Sequence, residues 1–224
     1  YQIALLFALL LTLAFSLGQE MANTYFVGAK RATPSETFTH TLVIGLVTSV
    51  LACGAGYLLT LMPLRFLERA PSALFQVSLL CIPAMIFHIY LCGMLLGLSA
   101  IPAYTLLSAA PSVLEALGIG VASLMGLEPT IAIGIHAASD ALSALIVAVV
   151  LWRVHGCRIV ALKLGHLLQV LGYGVRFYLG KLASTANVQI GAIVLSLSAV
   201  ETSEIGLFAA ASAVPRCTTP RRRL

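Results

Sequence analysis

Six stretches of this chain, 2–27, 40–62, 73–98, 102–126, 130–152 and 167–199, are predominantly apolar over lengths that suffice to cross a bilayer. Spanning about 30 Å of hydrocarbon takes about 20 residues at helical rise. A seventh run begins near residue 204. Strand-length alternation bounded by turns, the mark of a membrane barrel, is absent. With 60% hydrophobic and 9% charged residues, the composition excludes an ordinary soluble domain, which carries roughly a quarter charged residues. The expected fold is therefore all-α, a polytopic transmembrane helix bundle of six complete spans plus one partial.

The chain opens at Tyr1 without a basic leader or a small-residue cleavage site, so the first run reads as a membrane helix and not as a signal peptide. We read the polypeptide as a piece of something longer. Its five cysteines form no CxxC pair and read as buried thiols, with neither a zinc site nor a disulfide framework. The net charge of +5 owes much to Arg216, Arg221, Arg222 and Arg223 at the end of the chain, so no basic patch argues for a nucleic-acid partner.

Lys and Arg in alternate loops set orientation. Lys30, Arg31, Arg153, Arg158 and Lys163 fall in one set, Arg65 and Arg69 in the other. This places 28–39, 99–101 and 153–166 in the cytoplasm. The last of these, RVHGCRIVALKLGH, mixes basic residues with Ile159, Val160, Leu162 and Leu164 and reads as an amphipathic helix along the interface, either a hinge between two bundles or a passive link.

Several ionisable residues sit deep in the apolar runs. Glu115, Asp140 and Lys181 lie roughly 20 Å from the cytoplasmic ends of their helices, with Arg176 shallower. Lipid-facing charge at that depth costs at least about 2.5–3.5 kcal/mol, so these groups should turn inward. Helical phase groups Tyr173, Arg176, Gly180, Ser184 and Asn187 on one face, with Lys181 at its edge. The other helices present Ser108, Ser112 and Glu115; His136, Ser139, Asp140 and Ser143; and Thr12, Ser16, Gln19, Glu20 and Asn23.

Two readings follow. In one, Asp140 and Glu115 pair with Lys181 and Arg176 to hold helices together; in the other the stripes line a wet chamber that receives an anion. His136, four residues before Asp140, is placed to form a proton-linked pair with it. His88 reads as an interior histidine, and Pro83 and Pro111 as kink positions. No Walker A loop, HExxH or GxSxG is present, and the loops are too short to hold a reaction centre, so neither an enzyme nor a cofactor or metal is expected.

The segment LLQVLGYGVRFYLGKLASTANVQIGAIVLSLSAVETSEIGLFAAASAV resembles the opening of the second half of the bacterial polysaccharide flippases, the O-antigen and capsule lipid-linked oligosaccharide translocases of the multidrug/oligosaccharidyl-lipid/polysaccharide exporter superfamily. The matching positions are Tyr173, Gly174, Arg176, Leu182 to Ala186, Asn187 and Gln189, then Glu204 to Phe208. SLGQEMANTYFVGAKR is similar to the end of the family's second helix. The resemblance implies that 1–152 is most of an N-terminal lobe lacking its first helix, 153–166 the linker and 167–214 the start of a C-terminal lobe. The tail 215–224 departs from the family's pattern.

The resemblance further implies an alternating-access flippase for an undecaprenyl-diphosphate-linked glycan in the bacterial inner membrane, with a polysaccharide polymerase or glycosyltransferases as further partners. Arg176 and Lys181 would attract the diphosphate; Ser184, Asn187, Gln19 and Asn23 would bind sugar hydroxyls; Asp140, Glu115 and His136 would pair charge or couple an ion. The alternatives are a cation-coupled multidrug exporter of the same superfamily and a fragment that transports nothing.

Overall fold

The computed structural model describes residues 2–62, 72–126 and 129–197; of the side chains beyond residue 180 it describes only that of Ala183. The partial seventh run, the Glu204–Phe208 motif and the tail 215–224 lie outside the described residues. Among the described residues eight helices follow in order: α1 Gln2–Phe15, α2 Gln19–Gly28, α3 Pro34–Thr60, α4 Ser72–Ser78, α5 Cys81–Gly97, α6 Ile101–Leu124, α7 Pro129–Arg153 and α8 Leu164–Leu197. Among the described residues there is no strand.

Among the described residues four helical stretches are long and apolar enough to cross a membrane: Pro34–Thr60, Leu74–Gly97, Ile101–Leu124 and Ile131–Arg153. The count is five if the bent pair α1–α2 is one span, against the six expected. The first apolar run is not a single helix. It breaks at Ser16–Gly18, where Leu17 and Gly18 take left-handed φ of 48° and 63°, and the two halves are bent by 48°. The sixth run is helical to Leu197, but most of its second half lies outside the described side chains.

The 73–98 run also divides, and the cause is Pro83. Proline deprives the carbonyl four residues back, that of Leu79, of its donor and crowds it. Leu79 O instead accepts from Ile82 N at 3.2 Å and from the Cys53 thiol at 3.5 Å, and α4 gives way to α5 at this point. The break in the first run is settled similarly: Tyr90, fully buried, donates its hydroxyl to Ser16 O at 2.8 Å, and Tyr178 donates to Ala14 O at 2.8 Å. In a setting without water each orphaned carbonyl needs such a donor.

α5 is the central helix, packed against α7, α2, α3, α6 and α1. Its Ile82, Ile86, Tyr90, Met94 and Leu95 are wholly buried. Gly93 and Gly97, a GxxxG pair, let α2 cross at backbone distance: a Cβ on Gly93 would stand 2.5 Å from Glu20 O and one on Gly97 2.9 Å from Thr24 O. Thr24 Oγ1 donates to Gly93 O at 2.9 Å across the same seam.

The 153–166 segment is not the expected amphipathic helix. α7 stops at Arg153, Gly156 turns with φ 66°, and 157–163 runs without regular structure. Ser35 Oγ accepts from Arg158 N at 3.1 Å and Thr39 Oγ1 from Val160 N at 2.9 Å, so backbone donors that a helix would use internally are taken by α3. Lys163 pairs with Glu36, itself held in a capping box with Thr33 at the start of α3. Cys157 is fully buried among Phe38, Leu91, Leu95 and Leu151, anchoring the strap.

Candidate functional site

The three loops assigned to one side by their charge meet at one end of the bundle. The strap 157–163 lies on the start of α3, and a cavity of about 610 Å³ is lined by residues from both Val27–Glu36 and Gly97–Ser99. Lys30 and Arg31 line this cavity. The helical alternation read from the sequence is thus consistent with the packing.

At the same end, between α2 and α8, lies an open groove of about 670 Å³ lined by Tyr25, Phe26, Arg31, Leu168, Gln169, Gly172, Tyr173 and Arg176. It exists because the two helices approach closely beside it. Gly18 and Gly174 touch backbone to backbone, and a Cβ on Gly174 would stand 2.6 Å from Leu17 O. Above this contact the Tyr25 and Tyr173 rings stack with centroids 4.3 Å apart and planes within 9°. Phe26 meets Tyr173 edge-on at 5.7 Å, and the Arg31 guanidinium sits 5.2 Å from the Tyr25 ring centroid. Two guanidinium groups, an amide and an aromatic floor suit an anion attached to an apolar or sugar-bearing group.

Of the residues expected to meet a substrate, Arg176 is exposed in this groove. The side chains of Lys181, Ser184 and Asn187 lie outside the described residues. Gln19 and Asn23 are fully buried among the described residues, Gln19 Nε2 donating to Asn23 Oδ1 at 2.8 Å and Asn23 Nδ2 to Tyr90 O at 3.0 Å. Asn23 thus ties α2 to α5, while Gln19 Oε1 has no hydrogen-bond partner among the described residues. Arg31, which the sequence marked only as an orientation signal, is the second cation of the groove. Its place shortly after the Tyr25–Phe26 aromatic pair was the available signal.

The carboxylates gather elsewhere. Glu115 of α6 approaches His136 Nδ1 of α7 at 2.9 Å, and Asp140 Oδ2 lies 3.3 Å from His136 Nε2. Glu115 and Asp140 meet through a shared histidine; of the cations expected to pair with them, Lys181 has its side chain outside the described residues, and Arg176 lies on α8, which packs on α2 and α1, whereas α6 and α7 pack on each other and on α5. The polar stripe of α7 is buried as expected at Ser139, Asp140 and Ser143. That of α6 is not: Ser108 and Ser112 are exposed. Among the described residues no three His, Cys, Asp or Glu side chains converge as a metal site.

No protein-family model, curated protein or solved structure matches the chain.

Proposed function

We propose that the chain is part of a flippase that moves an undecaprenyl-diphosphate-linked oligosaccharide across the bacterial inner membrane, and that the groove between α2 and α8 receives the diphosphate. The observation that carries this reading is the placement of Arg31 and Arg176 on one open groove floored by the Tyr25–Tyr173 stack. The diphosphate must be held by fixed cations while its lipid tail stays in hydrocarbon, and a groove open on one side between two helices permits both. Two further features support it. The groove joins the two segments whose residues resemble the flippase family, and it lies at the basic end assigned to the cytoplasm, where such a lipid is made.

In this reading Lys181, Ser184 and Asn187 continue the polar face of α8 toward the sugars, and rocking of α8 against the α1–α2 break opens the groove to the other side. A multidrug exporter would instead need acidic groups where this groove has guanidiniums.

The test is binding of an undecaprenyl-diphosphate-linked glycan to the chain in nanodiscs. Replacing Arg31 and Arg176 by Ala should weaken binding at least about tenfold, since charge-assisted hydrogen bonds contribute about 1.5–3 kcal/mol each. Equal affinity for an uncharged polyprenol carrying the same glycan would refute the assignment.

A further inference from the structure

We propose that Glu115, His136 and Asp140 form a proton-binding site within the membrane, in which one exchangeable proton is held across the α6–α7 contact. This goes beyond the substrate reading and does not depend on it.

A neutral imidazole carries one N–H and one bare nitrogen. His136 presents both ring nitrogens to carboxyl oxygens, at 2.9 Å and 3.3 Å. If one nitrogen is bare, its lone pair faces an oxygen lone pair unless that oxygen carries the proton. Both contacts are attractive only when the three groups hold two protons: an imidazolium between two carboxylates, or a neutral imidazole between one carboxylate and one carboxylic acid. These forms interconvert by one transfer, in which the proton leaves His136 Nε2 for Asp140 Oδ2 and the Nε2–H bonding pair becomes the nitrogen lone pair. Loss of that proton from Asp140 to water leaves one N–H between two carboxylates, a form with one repulsive contact.

The surroundings fit such a site. Asp140 is only 6% exposed, and among the described residues its Oδ2 makes no hydrogen bond despite the ion-pair separation, so its burial is incompletely compensated there. Ser143, one turn on and on the same face, is fully buried with a hydroxyl that has no partner among the described residues. The side chains of His136 and Glu115 keep 18% and 23% of their exposure, so the described residues do not seal the site. From α5, Cys81 and His88 lie within electrostatic reach of Asp140, and Cys81 also of Glu115. His88 Nε2 is engaged with Leu107 O and the Cys81 thiol with Ile133 O. α4 carries no ionisable residue, and the remaining titratable groups of α6 and α7 are Tyr104 and Arg153, the latter about 20 Å along α7 from Asp140.

Nitrogen NMR of the histidine-labelled full chain in nanodiscs tests the proposal, with the His136 signal identified by its loss in His136→Gln. At a fixed pH the doubly protonated His136 population should fall at least about threefold in Asp140→Asn and in Glu115→Gln. Two folded variants that leave the population unchanged would overturn the proposal. Where a variant does not fold, the wild type decides: a His136 that is never doubly protonated, together with carbonyl-stretch infrared spectra that show no protonated carboxyl group within the membrane, would overturn it as well.

Discussion

His88 Nε2 lies 3.1 Å from the carbonyl oxygen of Leu107, the α6 carbonyl that Pro111 deprives of its intrahelical donor. The acceptor can only be the carbonyl, so Nε2 carries the proton and the histidine's tautomer follows from a proline on another helix. His88→Leu should therefore destabilise the protein by about 1–3 kcal/mol, the cost of a buried acceptor left unpaired. Pro111→Ala returns an N–H to the helix at the position that Leu107 O needs. In the background of that change His88→Leu should cost much less. A double-mutant cycle on unfolding in mixed micelles checks it, and additive effects would show that the two residues are not linked through this carbonyl.

The Gly18–Gly174 crossing makes a paired prediction. A methyl group on Gly174 meets Leu17 O at 2.6 Å, and Gly18 sits at φ 63°, where a side chain is strained as well as crowded. Gly174→Ala should lower stability by about 1–3 kcal/mol and separate α8 from the α1–α2 break. Gly180, on the same helix, has nothing within 4 Å of where a methyl group would stand, and there Ala should stabilise by about 0.5–1 kcal/mol. Thermal unfolding of the two variants side by side distinguishes crowding from a general effect of glycine removal.

How far this architecture can be read in the sequence depends on which physics is involved. Helix content and the runs themselves follow from apolar length, and the parity of the loops follows from where Lys and Arg fall. Pro83 and Pro111 are visible as kink positions, but the donors that rescue Leu79 and Leu107, namely Cys53 and His88, come from distant helices. The break at Ser16–Gly18 stays hidden because Gly18 is tolerated in a helix until a partner backbone, here Gly174, crosses it. Gln19 and Asn23 do lie on an inward face. Polarity on an inward face does not distinguish a cavity wall from a sealed helix seam, and Tyr90 O makes it a seam at Asn23. The 157–163 strap reads as helix because its periodicity is real, while in the folded chain Ser35 and Thr39 compete for its amides.

His40 offers a test of an uncompensated burial. Its side chain is 1% exposed, its ring lies 5.1 Å from that of His166, and neither ring nitrogen has a hydrogen-bond partner among the described residues. Burying such a group costs about 1–3 kcal/mol relative to a paired one. His40→Leu, close in volume, should raise the unfolding temperature or leave it unchanged. A clear loss of stability would reveal a partner for the imidazole.

Cys157 reports on the strap. Burial pushes its thiol above the ordinary cysteine range, and the residue has no exposure, so in the folded protein it should resist alkylation by a maleimide at neutral pH. Besides the burial of Cys157, three polar contacts with α3 hold the strap: two backbone amides on Ser35 and Thr39 and the Lys163–Glu36 pair. The ion pair alone contributes little, because Lys163 keeps 69% of its side-chain exposure, and Glu36→Gln should change Cys157 labelling by less than about threefold. Removing both hydroxyls, with Ser35→Ala and Thr39→Val, leaves the amides of Arg158 and Val160 without acceptors and should accelerate labelling at least about tenfold, the rate following the opened population. Mass spectrometry of timed labelling reads both. If the ion-pair variant were the one to release Cys157, charge and not amide capture would be what fastens the α7–α8 connection to the bundle.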